Sequence, residues 1–385
     1  MNLELIDFIR NLYKSSEAIH LHEPIFFGNE KNFVIDAIES TYVSSVGKYV
    51  DEIEKHAEIF TGSKKCVAVV NGTAALITAL HLSGVKRNSV VLTPSLNFIA
   101  ACNAISTIGA EPAFIDVDRS NLGMSPEALK NFLEENCLFS QKRGCLLKKN
   151  NIEIKAMIVM HTFGHPASLK ELSSIASEWN ITLIEDAAES LGSYYKEKHT
   201  GTIGRFGIIS FNGNKIVTTG GGGMLLSQNI DDGVRAKHIT TTAKIKHEFE
   251  FIHDEVGFNF RMPNINAAIG VAQFENLNLF IKQKRKIADA YRKFFLNSDC
   301  LFVEEPKNCK SNYWLNSIIA PDKNSRDEII TVTNNENIKT RPLWRLMHKL
   351  PMFRGSIRGS LENSEWLEDR IVCLPSSARE IDYEC

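Results

Sequence analysis

No stretch of this 385-residue chain reaches the roughly 18 consecutive apolar residues of a membrane-spanning helix, so no anchoring segment is expected. The opening residues, MNLELIDFIRNLYKSS, interrupt their apolar positions with Glu4, Asp7 and Arg10, and so lack a signal-peptide core. A charge excess is missing too. Lys plus Arg number 44 against 46 for Asp plus Glu, which removes the polyelectrolyte reason to expect nucleic acid or an anionic membrane as partner. Any anionic ligand must therefore be met locally. The eight cysteines include no CxxC and several sit in apolar runs, where Cys behaves as a small hydrophobe; a reduced, cytoplasmic setting and no bound metal are expected. Internal repeats and low-complexity linkers are absent as well.

What is present is a βα rhythm. From about residue 64 to 226, short apolar runs alternate with segments of helical period, separated by Gly, Pro, Asn or Asp. Strands are expected at Cys66–Val70, Val90–Thr93, Ala113–Val117, Ala156–His161, Thr182–Glu185, Gly207–Phe211 and Gly223–Ser227. One intervening helix has a well-marked start: Ser125 suits the N-cap, Pro126 the first helical position and Glu127 the positive end of the dipole. The pattern implies an α/β fold with a largely parallel, buried sheet. After Pro263 a long helical period sets in, NINAAIGVAQFENLNLFIKQKRKIADAYRKFF, followed by weaker strand-like pieces. The expected division is a large domain with an N-terminal arm, residues 1–263, and a smaller one, residues 264–385. The IKQKRK piece reads as a solvated helix face.

Four segments and one late cluster could carry chemistry. In Val69–Leu76 a strand ends in the small residues Gly72, Thr73 and Ala74 and a helix begins; such a turn offers free N–H groups and the positive helix end to a phosphate, though it also reads as an ordinary capped turn with Thr73 near the cap. In LIEDAAES, a strand runs into Glu185 and Asp186 at its C-terminal end, where open α/β sheets bind ligands. A carboxylate there can hold a pyridine-type nitrogen protonated, or simply cap the next helix. Lys215 follows the strand ending in Ser210 and precedes Gly220–Gly223; lysine condenses with carbonyls, and burial favours the amine form that does so. Last, Gly257–Pro263 sets Asn259 and Arg261 among aromatics, and Arg341, Trp344, Arg345 and His348 form a late basic and aromatic cluster suited either to a diphosphate or to the surface.

The ordered set, Gly72-Thr73-Ala74, EDAAESLG, Ser210-x-x-x-x-Lys215 with its glycine run, and Gly257-x-Asn259-x-Arg261-Met262, resembles the DegT/DnrJ/EryC1/StrS family of sugar aminotransferases from about residue 22 to 377. The resemblance implies the fold of type I pyridoxal-phosphate (PLP) transferases. It implies that Lys215 is the Schiff-base lysine and that Asp186 pairs with the pyridine nitrogen. Gly72, Thr73, Ala74 and Ser210 match phosphate positions, Phe98 an aromatic over the ring, and Asn259 a residue lent by the neighbouring subunit of a homodimer with shared sites. Glu189 stands where many members have Gln or His, which makes it a candidate contact to the ring hydroxyl. Gly221 replaces the family's usual acid. By the same resemblance the substrates are glutamate and a nucleotide-linked keto sugar, with Arg261, Arg341 and His348 as candidate substrate contacts. The two departures are similar to the subgroup acting on UDP-4-keto-6-deoxy-N-acetylhexosamine, the bacillosamine and legionaminic acid type. A GDP-sugar enzyme of the perosamine type and a non-catalytic relative are the alternatives; the family's dehydratases carry histidine where this chain has Lys215.

Overall fold

A computed structural model describes residues 2–379. Its central sheet has nine strands, seven of them in the order Lys65–Val69, Gly223–Ser227, Phe206–Ser210, Thr182–Asp186, Glu153–Met160, Val90–Pro94 and Glu111–Ile115. From Phe206–Ser210 onward the neighbours are parallel, whereas Gly223–Ser227 is antiparallel to both of its own. Val91, Leu92, Ile158 and Val159 have no exposed surface, as expected when helices cover both faces of a parallel sheet. All seven strands read from the sequence are present, with ends shifted by a few residues. The remaining two, Cys137–Ser140 and Gly144–Leu147, form an edge hairpin that the sequence reading missed. Leu138 and Phe139 are both exposed there, so no alternation marks the first strand.

Helix starts follow local chemistry. Ser125 accepts a hydrogen bond from the Ala128 N–H at 3.2 Å, and Pro126 opens the helix Pro126–Asn136. At the helix Gly72–Leu82 the cap is Asn71 rather than Thr73: Asn71 is extended, and its side chain accepts from the Ala74 N–H at 2.8 Å.

The C-terminal part builds a second, antiparallel sheet in the order Leu301–Phe302, Asn316–Ile319, Ile371–Leu374, Arg341–Pro342, flanked by the helices Lys323–Asn335 and Glu362–Glu368. The helix Asn264–Phe295, about 48 Å long, serves both parts. Its first half packs Ala267, Val271 and Phe274 against Tyr49 and Ile53; its second half packs Ile287, Tyr291 and Phe295 against Ile318, Val372 and the N-terminal helix Asn2–Tyr13. The N-terminal helix buries its Leu5–Ile9–Leu12 stripe, which needs an apolar partner, against the small sheet. A further cluster joins Leu96, Val117 and Phe163, which follow the carboxyl ends of three parallel strands, to Trp314, Leu346 and Cys373, bringing the C-terminal part over those ends. IKQKRK departs from its expected solvation: Lys282 and Lys286 are exposed, but Gln283 and Lys284 are buried, Lys284 completely. No helix among the described residues is long and apolar enough to cross a membrane, and the described cysteines are all free thiols.

Candidate active site

The strand Thr182–Asp186 ends in two adjacent acids, and the two-residue period sends them to opposite faces. Glu185 points into the protein, where its oxygens accept from the backbone N–H groups of Gly201, Ile203 and Gly204 at 2.6–2.7 Å and meet His161 Nε2 at 3.0 Å. Because His161 Nδ1 accepts from the Ala167 N–H, the imidazole proton lies on Nε2 and is donated to Glu185. Burial pushes the Glu185 carboxyl up, but His161 and the backbone donors outweigh it and hold the group below the usual carboxylate range. Asp186 takes the other face. One oxygen accepts from the Ala188 N–H at 3.1 Å; among the described residues the other accepts no hydrogen bond, although the residue is only 4% exposed. Burial raises its carboxyl above the ordinary value, with the Ala188 N–H and Lys215 pulling it back. A buried carboxylate with a spare oxygen calls for a cation or an N–H donor.

Lys215 lies in the turn after the strand Phe206–Ser210, and its side chain is 12% exposed. Nζ is 3.3 Å from Glu189 Oε1 and 4.0 Å from the centre of the Trp314 ring. Glu189 is held in turn by the Phe163 N–H, which donates to Oε2 at 2.9 Å from a residue in the left-handed region at φ 57°. Burial pushes the Glu189 carboxyl up to about 7 against the pull of Lys215 and Phe163. Asn312 ties the lysine's two partners together: its Nδ2 donates to the Glu189 and Leu191 carbonyls at 2.9 Å, and its Oδ1 accepts from the Trp314 N–H at 2.8 Å.

The turn expected to take a phosphate faces Ser210. A Cβ added to Gly72 would stand 3.2 Å from the Ser210 Cβ, and one on Gly223 would run into the Asn71 and Gly72 backbone at 2.5 Å. The small residues thus let the N-terminus of Gly72–Leu82 sit against the end of the lysine-bearing strand, leaving the first N–H groups and the Thr73 and Ser210 hydroxyls for an anion.

The other anticipated residues are more scattered. Phe98 is half-exposed and edge-on to Trp344 at 5.9 Å; Trp344 packs against Phe163, which holds Glu189. Asn259 and Arg261 lie on a segment bridged to Thr241 and Val69, with Asn259 exposed and accepting from Arg261 Nε at 2.9 Å. Arg341 is exposed and donates to Asn334 and the Thr340 carbonyl. His348 turns inward instead: Nδ1 meets Ser95 Oγ at 2.7 Å and Nε2 meets Glu365 at 3.3 Å, so both ring nitrogens are engaged within the protein and the late basic cluster is divided. Trp314, Asn312, His161 and Lys284 were not anticipated; only a Trp and two Asn in SNYWLN hinted at the first two.

A condensing amine and an under-partnered buried carboxylate at the ends of neighbouring strands, with a helix N-terminus against one of them, fit the aldehyde, the pyridine nitrogen and the phosphate of PLP. Fold and donor set together define a PLP-dependent aminotransferase. The chain belongs to the DegT/DnrJ/EryC1/StrS aminotransferase family, whose model matches residues 27–381. It is 36% identical to EpsN of Bacillus subtilis (strain 168) over 96% of this chain and 93% of that one. It is 33% identical to the GDP-perosamine synthase of Escherichia coli O157:H7 over 95% and 96% of the two chains. The fold matches the crystal structure of the aminotransferase TlmJ from Streptoalloteichus hindustanus with a TM-score of 0.84, at 24% identity and 93% coverage of each chain.

Proposed function

We propose that the protein transfers the amino group of glutamate to C-4 of a nucleotide-linked 4-keto-6-deoxy sugar, with GDP-4-keto-6-deoxymannose as the substrate favoured. The observation that carries the chemistry is the Lys215 amine 3.3 Å from the Glu189 carboxylate, with Asp186 at the end of the neighbouring strand. What supports the nucleotide is the GDP-perosamine synthase similar to this chain along nearly its whole length. The UDP-acetylhexosamine preference drawn from Gly221 and Glu189 gives way to it, since one missing acid and one carboxamide-to-acid change say nothing about a base or an N-acetyl group. Given both keto sugars, the enzyme is expected to favour the GDP-linked one by about tenfold or more in kcat/KM. Equal turnover, or a preference for UDP, would reverse the assignment.

PLP supplies an electron sink for the charge left at the substrate carbon. The chain's own groups do the rest. Asp186 would hold the pyridine nitrogen protonated. Lys215 Nζ would be the covalent anchor of the coenzyme and would carry the proton away from and back to the substrate carbon. Glu189 Oε1 takes the surplus proton of the Lys215 ammonium, so that a neutral amine is on hand. The N-terminus of Gly72–Leu82, with Thr73 and Ser210, holds the phosphate. Exposed Arg341 and half-buried Arg261 are the side chains proposed to meet the sugar's diphosphate. With glutamate as donor, each turnover releases one 2-oxoglutarate and one amino sugar.

The Glu189 assignment has a pH signature. Its carboxyl titrates near 7, so the base form is present above that pH and lost below it. The rate is expected to rise with pH through about 7, and Glu189→Gln should abolish that limb and slow the reaction about tenfold to a hundredfold on the alkaline side. A pH–rate profile of both proteins checks this, and an unchanged limb in the variant would remove Glu189 from the proton path.

The same proposal includes a homodimer in which the exposed Asn259 completes the partner's phosphate site; the exposed Phe249, Phe251 and Val256 just before it are apolar surface suited to burial between subunits. It also includes the division of the chain at 263/264, where the long helix begins and the antiparallel sheet follows, and a reducing, cytoplasmic setting that suits the free thiols.

A further inference from the structure

The transfer steps above leave one aromatic side chain of the site without a task. Trp314 is buried, and the face of its ring lies 4.0 Å from Lys215 Nζ. The indole N–H donates to the Asn214 carbonyl at 2.8 Å, so the same ring grips the backbone just before the lysine. Its own backbone is fixed at both ends, the N–H by Asn312 Oδ1 and the carbonyl by Lys284 Nζ at 3.0 Å.

We propose that Trp314 is the positioning residue of Lys215: its indole face receives the side chain while it carries the substrate-carbon proton as an ammonium, and its ring N–H fixes the turn that aims the lysine, with buried Lys284 bracing it from behind. This rests on the assignment of Lys215 made above. A lysine that anchors the coenzyme must leave it in each half of the cycle and return to the same atom. Free on a flexible four-carbon stem, the amine would sample several rotamers and give up the advantage of proximity. A desolvated ring face attracts an ammonium without forming a bond that would have to break, and Glu189 limits the motion from another direction. Lys284 suits its role as a brace. It is fully buried, its two acceptors are the carbonyls of Trp314 and Ser376 at 3.0 and 2.5 Å, and desolvation holds its pKa far below that of a free lysine. Two acceptors match the two N–H bonds of a neutral amine.

Trp314→Leu removes ring and N–H, while Trp314→Phe keeps a ring face. Both are expected to retain the coenzyme's visible absorption band, which separates this claim from the one about Lys215, since only Lys215→Ala should lose the band altogether. In the Leu variant, capture of added PLP by the coenzyme-free protein and the half-reaction with glutamate alone should each slow about tenfold, with the KM for glutamate unchanged; Phe should restore most of both rates. Capture and kcat at wild-type values in the Leu variant would overturn the proposal, as would a Phe variant no faster than Leu. Should Leu destabilise the fold, Trp314→Met, whose flexible chain fills the space without a ring, carries the same comparison.

Discussion

Replacing Lys215 with alanine is expected to abolish the coenzyme's visible band and to lower transamination by at least about a thousandfold. On the roles proposed for Lys215, two functions would be lost at once, the covalent anchor and the group that moves the proton at the substrate carbon. The rest of the pocket does not depend on this side chain. Asp186 is held by the Ala188 N–H, Glu189 by Phe163 and Asn312, and the Gly72–Leu82 helix by its Asn71 cap. Coenzyme should therefore still bind, without a covalent bond, and the melting temperature should hold. The absorption spectrum and a single-turnover assay with glutamate check both parts. Retention of the wild-type band would show that another amine is the anchor.

Asp186→Asn is the second large effect. The amide keeps the volume and an oxygen for the Ala188 N–H, but it carries no negative charge toward the pyridine nitrogen. In a site where Asp186 is 4% exposed, that charge acts with little solvent screening. A fall in kcat of about a hundredfold to a thousandfold is expected, with smaller changes in KM, because the charge matters most when electron density moves into the ring. Steady-state kinetics on the purified variant measure it. A variant within about threefold of wild type would mean that Asp186 is only a structural cap.

Why Lys215 and Asp186 were legible in the sequence, and their supports were not, follows from how each is specified. Both sit at the carboxyl ends of strands with strong local signals, apolar runs broken by an acid pair in one case and by a glycine run in the other. The strand period then decides that Asp186 and not Glu185 faces the site, a consequence of geometry that a run of letters does not display. Trp314 lies 100 residues beyond the Asn214 carbonyl it holds and Asn312 lies 123 and 121 residues beyond Glu189 and Leu191, while Lys284 lies 30 and 92 residues before its two acceptors, and no spacing announces such contacts. Lys284 shows the limit well. In IKQKRK it looks like one more solvated cation, and only the carbonyls of Trp314 and Ser376 make its burial tolerable. His348 shows the converse: a basic cluster gives no sign that Ser95 and Glu365 already occupy the ring. The antiparallel run of Gly223–Ser227 was hidden for a similar reason, because a strand buried on both faces reads the same in either direction.

The central claim is that Lys215 is the amine that bonds the coenzyme. Reducing the PLP-loaded protein with borohydride and mapping the modified peptide by mass spectrometry tests it most directly. The coenzyme's mass should be found on Lys215, in the peptide that contains FNGNK, and on no other lysine. Its appearance on a different residue, such as the buried Lys284, or the absence of any covalent adduct, would contradict the account.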